Sequence, residues 1–217
     1  MVTTADVKIV EARAERAPFI AWVIMTAQRS HLERGFWDHL LGGSDERVLR
    51  YLEGLTTTEQ PHWVHHTIFL VAEVDGHPAA ALSGYFKEEL RSDGQFERGM
   101  VLAVAATGIM PEADAMARAT TIMQVSAEHV PGAWIIESVA TAPEFRRQGL
   151  IDRLMEAILE RGRERGASVS DISVLIENDA AQRAYEKAGF SVISEKRHPE
   201  FEAVYGTPGI RALRRGL

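Results

Sequence analysis

Residues 134 to 177 read WIIESVATAPEFRRQGLIDRLMEAILERGRERGASVSDISVLIE: an apolar run, a glycine-bearing loop, a long amphipathic segment and a second apolar run. Leu150, Ile151, Leu154, Met155, Ile158 and Leu159 recur at the step that gathers side chains on one helical face, and Gly166 supplies a stop. A strand, a helix and a strand in that order call for a parallel strand pair joined by a right-handed crossover. The predicted strands are 134–142 and 168–177, with a helix from about 149 to 165 between them.

The flanking sequence fills in an α/β domain. VKIVEA (7–12) alternates as a first strand, and APFIAWVIMTAQRS (17–30) and DERVLRYLEGL (45–55) have helical spacing, broken by Gly42 and Gly43. Residues 67–86 read as a hairpin about Asp75-Gly76, a turn pair that tolerates positive φ. Residues 87–133 are expected to be a helical insertion, with a helix opened by Pro111 and closed before Pro131. DAAQRAYEKAG (179–189) reads as a short helix, FSVISEKR (190–197) as a strand, and IRALRR as a last strand. At 217 residues the expectation is one domain over 1–217.

A net charge of −7 argues against nucleic acid or anionic lipid as a partner, because those need a basic face. No stretch reaches the ~18 unbroken apolar residues of a membrane span, and the N-terminus lacks the order of a secretion signal. A cytoplasmic location without a membrane partner is therefore expected. Cysteine is absent, so no covalent acyl-cysteine intermediate can form. His62, His65 and His66 in HWVHH lack the accompanying cysteines or carboxylates of a zinc site; no metal is expected, and surface or strand-edge positions are.

Chemistry concentrates at Arg146-Arg147-Gln148-Gly149-Leu150-Ile151. Amides at a helix start lack internal partners, and the helix dipole favours negative charge there, so a glycine-bearing loop entering a helix can cradle phosphate oxygens. Arginines add charge-assisted bonds. The same residues also suit an ordinary basic turn. Asn178 suits a helix cap, Tyr185 a core aromatic, and Gly149 and Gly189 plain turns.

Taken together, EFRRQGLIDRLMEAI and VLIENDAAQRAYEKAGF resemble the GNAT superfamily of acyl-CoA-dependent N-acetyltransferases, whose phosphate loop reads Q/R-x-x-G-x-G/A. Arg146 and Gly149 match the first and fourth positions. Ile151 departs at the sixth, where a small residue is usual, and is expected to pack inward and leave the amides free. Asn178, Tyr185, Gly189 and Phe190 match downstream. The resemblance implies a central mixed, mostly antiparallel sheet with helices on both faces and a splayed parallel pair at 134–142 and 168–177.

It also implies acetyl-CoA as cosubstrate. The pyrophosphate would lie on the amides of 147–152, drawing on Arg146, Arg147, Gln148, Gly149, Leu150, Ile151 and Asp152. The backbone of Val139, Ala140 and Thr141 would meet the pantetheine arm and thioester carbonyl, and Asn178 would contact the arm. Glu137 falls where many members carry a general base, and Tyr185 where many carry the acid that protonates the departing thiolate. The expected reaction is direct acetyl transfer, within a ternary complex, to the amine of a small molecule or amino-acid derivative. A protein lysine or N-terminus, and a non-catalytic acyl-CoA-binding module, are the alternatives. Phe36 and Trp37 are candidates to line the acceptor pocket, or core aromatics. Homodimerisation is common in the family.

Overall fold

A computed structural model describes residues 6–90 and 94–217, the side chains of Gln95, Phe96, Met116 and Ala119 excepted. Part of the charged stretch in the expected insertion, residues 91–93, lies outside the described residues. The strands are β1 (Val7–Glu11), β2 (Phe69–Val74), β3 (His77–Phe86), β4 (Trp134–Thr141), β5 (Val169–Leu175), β6 (Ser191–Arg197) and β7 (Gly209–Gly216). They form one sheet of order β1-β2-β3-β4-β5-β7-β6, antiparallel throughout except for the β4–β5 pair. The mixed α/β architecture inferred from the sequence is present. The β2–β3 turn uses Asp75 and Gly76 at φ 51° and 80°, the left-handed pair that suits a two-residue hairpin.

One face carries α1 (Ala17–Arg29), α2 (Phe36–Leu41) and α3 (Asp45–Thr56). Ile20, Ile24, Trp37, Tyr51 and Leu55 pack there with Val71, Ala81, Tyr85 and Ile135 of the sheet. Trp37 is fully buried, which makes it a core aromatic. After the short turn α4 (Lys87–Leu90), residues 87–133 supply α5 (Gln95–Thr107) and α6 (Ala115–Val125). The second starts four residues later than Pro111 suggested. Asp114 precedes it, and Arg118 anchors it by donating to the His39 carbonyl at 2.8 Å and to Glu112 at 2.5 Å.

The other face carries α7 (Leu150–Glu164) and α8 (Asp179–Lys187). The predicted stripe Leu150, Leu154, Met155, Ile158 and Leu159 is buried against Leu82, Trp134, Ile136 and Ile172. The helix sits close because Gly84 of β3 has no side chain: a Cβ there would lie 2.6 Å from Ile158 and 2.8 Å from Trp134. A helix not anticipated from sequence, α9 (Pro199–Tyr205), closes a smaller core in which Phe201 and Tyr205 meet Val125, Leu175 and Ile210.

Two histidines of HWVHH, His62 and His65, are not at the surface, and His66 is half-buried. His62 is fully buried, His65 is 5% exposed, and both are held by backbone groups. The chain after α3 leaves the Leu55, Thr56 and Thr58 carbonyls in need of donors, which the three rings provide at 3.1, 2.8 and 3.0 Å. Burial pushes His62 and His65 down to about 4, so both are neutral near pH 7. Among the described residues no cluster suited to a metal is present.

Candidate active site

β4 and β5 pair over three rungs only, Trp134 with Ser170, Ile135 with Asp171 and Ile136 with Ile172. Beyond them β4 stays with β3, and β5 stays with β7, so the sheet opens between its two parallel strands. A bulge marks the opening. Ser138 and Val139 together oppose the single residue Leu82, and Ser138 takes φ 54°, rare for a residue with a Cβ. Backbone groups of 137–141 on the β5 side thus have no strand to pair with. This is the segment that contains Val139, Ala140 and Thr141.

The loop at the mouth of this opening leads into α7. Pro143–Phe145 make one tight 3-10 turn, Arg146 is extended, and Arg147 and Gly149 are left-handed at φ 62° and 72°. The N–H of Arg153 is the first to bond back along the helix, to the Gly149 carbonyl at 3.3 Å. The amides of Leu150, Ile151 and Asp152 precede it and have no intrahelical acceptor. The left-handed residues Arg147 and Gly149 turn the chain just ahead of these amides. Gly149 is needed for its φ alone, since a Cβ there would meet nothing within 4 Å.

Arg146, Arg147 and Gln148 are exposed. Neither arginine forms an ion pair with a carboxylate among the described residues; Arg146 reaches only the Thr141 carbonyl, at 3.5 Å, and Gln148 the Glu144 carbonyl, at 3.4 Å. Ile151 is half-buried and packs against the core under α7, so its side chain turns away from the loop. Asp152 carries its carboxylate toward Lys187, 2.6 Å away, and its acidic group in the first helical turn suits the dipole.

Glu137 and Tyr185 belong to opposite faces of the sheet. Glu137 is half-buried on the α1–α3 side, its backbone carbonyl accepting from the Ser83 hydroxyl at 3.0 Å and its Oε2 from the Tyr85 hydroxyl at 2.9 Å. Tyr185 is 8% exposed within the α7-side core, and burial raises its hydroxyl pKa well above the usual value, which keeps it protonated near neutrality.

Asn178 caps α8, its Oδ1 accepting from the Ala181 amide at 3.1 Å. Its Nδ2 donates to the Ser30 hydroxyl at 2.6 Å. Ser30 caps the end of α1 with φ 59°, so this bond ties a helix of one face to a helix of the other beside the opening. Sequence reasoning found the Asn but neither its Ser30 partner nor the Tyr85–Glu137 contact, because each joins residues more than fifty positions apart.

Comparison with known proteins agrees with this geometry. The chain is similar to a solved acetyltransferase at 17% identity, covering 96% of this chain and 98% of that one with a TM-score of 0.68. It is similar to an N-acetyltransferase from Staphylococcus aureus Mu50 at 20% identity, covering 96% and 100% with a TM-score of 0.66. It is also similar to N-acetylglutamate synthase from Neisseria gonorrhoeae, solved with coenzyme A and N-acetyl-glutamate, at 16% identity, covering 99% of this chain and 36% of that one with a TM-score of 0.50. At such identities these likenesses speak to the fold. Residues 37–190, more than half of the chain, match the sequence pattern of the acetyltransferase (GNAT) family, and the protein belongs to that family.

Proposed function

We propose that the protein transfers the acetyl group of acetyl-CoA to the primary amine of a small molecule or amino-acid derivative by direct attack. The observation that carries this reading is the conjunction of an opened parallel strand pair with a glycine-bearing amide cradle and two uncommitted arginines at its mouth. In support, the Neisseria gonorrhoeae synthase, a protein of similar fold, is complexed with coenzyme A and N-acetyl-glutamate.

In this reading the cosubstrate's pyrophosphate rests on the amides of 147–152 with Arg146 and Arg147 beside it. The arm runs along the unpaired side of 139–141, near Asn178. An alkyl ammonium, with a pKa near ~10.4, must lose a proton before it can attack. Glu137 accepts that proton directly or through a water. The amine nitrogen then bonds to the thioester carbon, with backbone N–H groups stabilising the developing oxyanion. As the carbon–sulfur bond breaks, Tyr185 protonates the thiolate and regains a proton as the acylated nitrogen gives up its second one, leaving an amide and free coenzyme A, with the proton on Glu137 released to solvent.

Calorimetry with acetyl-CoA, followed by thiol release over a panel of amines, tests the reading. Micromolar binding and turnover on small amines support it. Turnover confined to peptides bearing lysine or a free N-terminus would move the acceptor to protein, binding without any turnover would leave an acyl-CoA sensor, and absence of binding would overturn the reading altogether.

A further inference from the structure

Asp171 is the one charged residue of strand β5, and its side chain is 1% exposed. A buried carboxylate is tolerated only when fully hydrogen-bonded. Arg214, its cross-strand neighbour on β7, donates Nε to Oδ1 at 2.6 Å and Nη2 to Oδ2 at 2.8 Å. His129, from the segment between α6 and β4, brings Nδ1 to Oδ2 at 3.0 Å. Burial alone would push the Asp171 carboxyl up, but the bonds from Arg214 and His129 outweigh it and hold the group below the usual carboxylate range. An ionised carboxylate only accepts, so Nδ1 of His129 donates to it, which in the neutral form of an imidazole leaves Nε2 as the acceptor.

The His129 side chain is 10% exposed, and its Nε2 has no protein partner among the described residues. The ring lines an open pocket of about 400 Å³ together with Val130, Pro131, Ile193, Lys196 and Arg214, and the Glu128 carboxylate also stands on its wall, paired with Lys196. The bidentate guanidinium already neutralises Asp171, so charge balance does not require a histidine there. What the histidine adds is an oriented acceptor at a pocket wall, the way a carboxylate fixes an imidazole that must meet a ligand. Cations flank it. Arg214 keeps Nη1 unengaged among the described residues, and Lys196 holds only Glu128, which is 87% exposed, in a surface pair that is easily exchanged. Val130 and Ile193 leave 39% and 46% of their surface open beside these groups.

We infer that this pocket recognises a small carboxylate bearing an N–H donor one carbon away and an apolar side chain, the chemistry of an apolar amino-acid residue with a free carboxyl end. The carboxylate takes Arg214 Nη1 and Lys196, the N–H donates to His129 Nε2, and the side chain lies on Val130, Pro131 and Ile193. The site is on the same sheet face as Glu137, two residues along β4 from the Ile135–Asp171 rung. It goes beyond acetyl transfer and stands without it, since it concerns binding in the absence of acetyl-CoA.

The test is a titration of the full chain, labelled with 15N at histidine, with N-acetyl-leucine, isovalerate and leucinamide, read by imidazole correlation spectra, with affinities by calorimetry. N-acetyl-leucine is expected to shift the His129 signals saturably, isovalerate, which lacks both the N–H and one methylene, to bind at least about tenfold more weakly, and leucinamide, which lacks the carboxylate, not to bind. Lys196→Gln, a surface change that leaves the circular dichroism intact, is expected to weaken N-acetyl-leucine by a similar factor. No saturable shift with N-acetyl-leucine, equal binding of leucinamide, or equal binding of isovalerate would each overturn the assignment, as would an unchanged affinity in Lys196→Gln.

Discussion

Mild acid should destabilise this protein through two buried rings well before its carboxylates titrate. In His62, Nε2–H donates to the Leu55 carbonyl at 3.1 Å and Nδ1 accepts from the Val64 amide at 3.3 Å. In His65, Nε2–H donates to the Thr58 carbonyl at 3.0 Å and Nδ1 accepts from the Thr67 amide at 3.4 Å. A proton added at Nδ1 of His62 would set donor against donor, one added at Nδ1 of His65 would face the Thr67 amide and require the Thr67 hydroxyl, 2.8 Å away, to accept, and either would bury a charge. Burial is the main cause that brings both pKa values down to about 4. Because the folded value is depressed, the unfolded chain takes up protons first. The contribution of each ring is complete above the unfolded pKa of about 6.5 and drains away as pH falls toward the folded value. At pH 5 the loss is about 2 kcal/mol per ring, from about 1.5 pH units at about 1.4 kcal/mol each. The rings stand 5.9 Å apart, so protonation of one opposes the other.

Urea unfolding at intervals from pH 7.5 to 5 measures this, compared with His65→Gln, whose amide can still donate toward the Thr58 carbonyl. The variant starts lower at pH 7.5, and its stability should fall less steeply, by about 1.4 kcal/mol per pH unit near pH 5. Parallel pH profiles for wild type and variant would refute the argument.

Other consequences are as direct. Tyr185→Phe should lower kcat by about a hundredfold with the acetyl-CoA KM nearly unchanged, measured by thiol release; full turnover would reject the acid role. Gly149→Ala keeps an open site but forces a Cβ into φ 72°, so it should cost about 1 kcal/mol of stability in urea unfolding and raise the acetyl-CoA KM. Asp38 on α2 receives Arg29 at 2.6 and 2.9 Å and the Gly35 amide at 2.8 Å while 9% exposed, so Asp38→Asn should cost about 2–3 kcal/mol and lower Tm by about 5–10 °C.

Local chemistry explains what could be read ahead of the structure. Leu150 to Leu159 declared a helix by spacing, Asp75-Gly76 a hairpin by φ preference, and the order of elements a parallel pair. Long-range needs were silent. The helix α5 carries a diffuse mixture of alanine, valine and glycine with no clear stripe, and α9 is a charged seven-residue stretch whose opening Pro199 and closing Gly206 were the available signals. HWVHH read as polar and exposed because nothing local shows that three carbonyls ten or fewer residues earlier need donors. At the candidate site, Asn178 proved to be a cap as its type favours, while Ser138 gave no hint of its left-handed backbone. The burial of Asp171 was not read from the sequence, because its partners Arg214 and His129 lie more than forty positions away.

The extra residue in β4 sets which way its neighbours point. Side chains alternate with a period of two along a strand, so Ile135 and Glu137 share the face of α1. Past Ser138 the count changes parity: Ala140, an even-numbered residue, joins that face, and Val139 packs on the other. A regular strand that kept every one of these residues would turn Val139, Ala140 and Thr141 over together. Deletion of Ser138 is therefore expected to remove the bulge while leaving Val139 and Ala140 on the faces they now occupy.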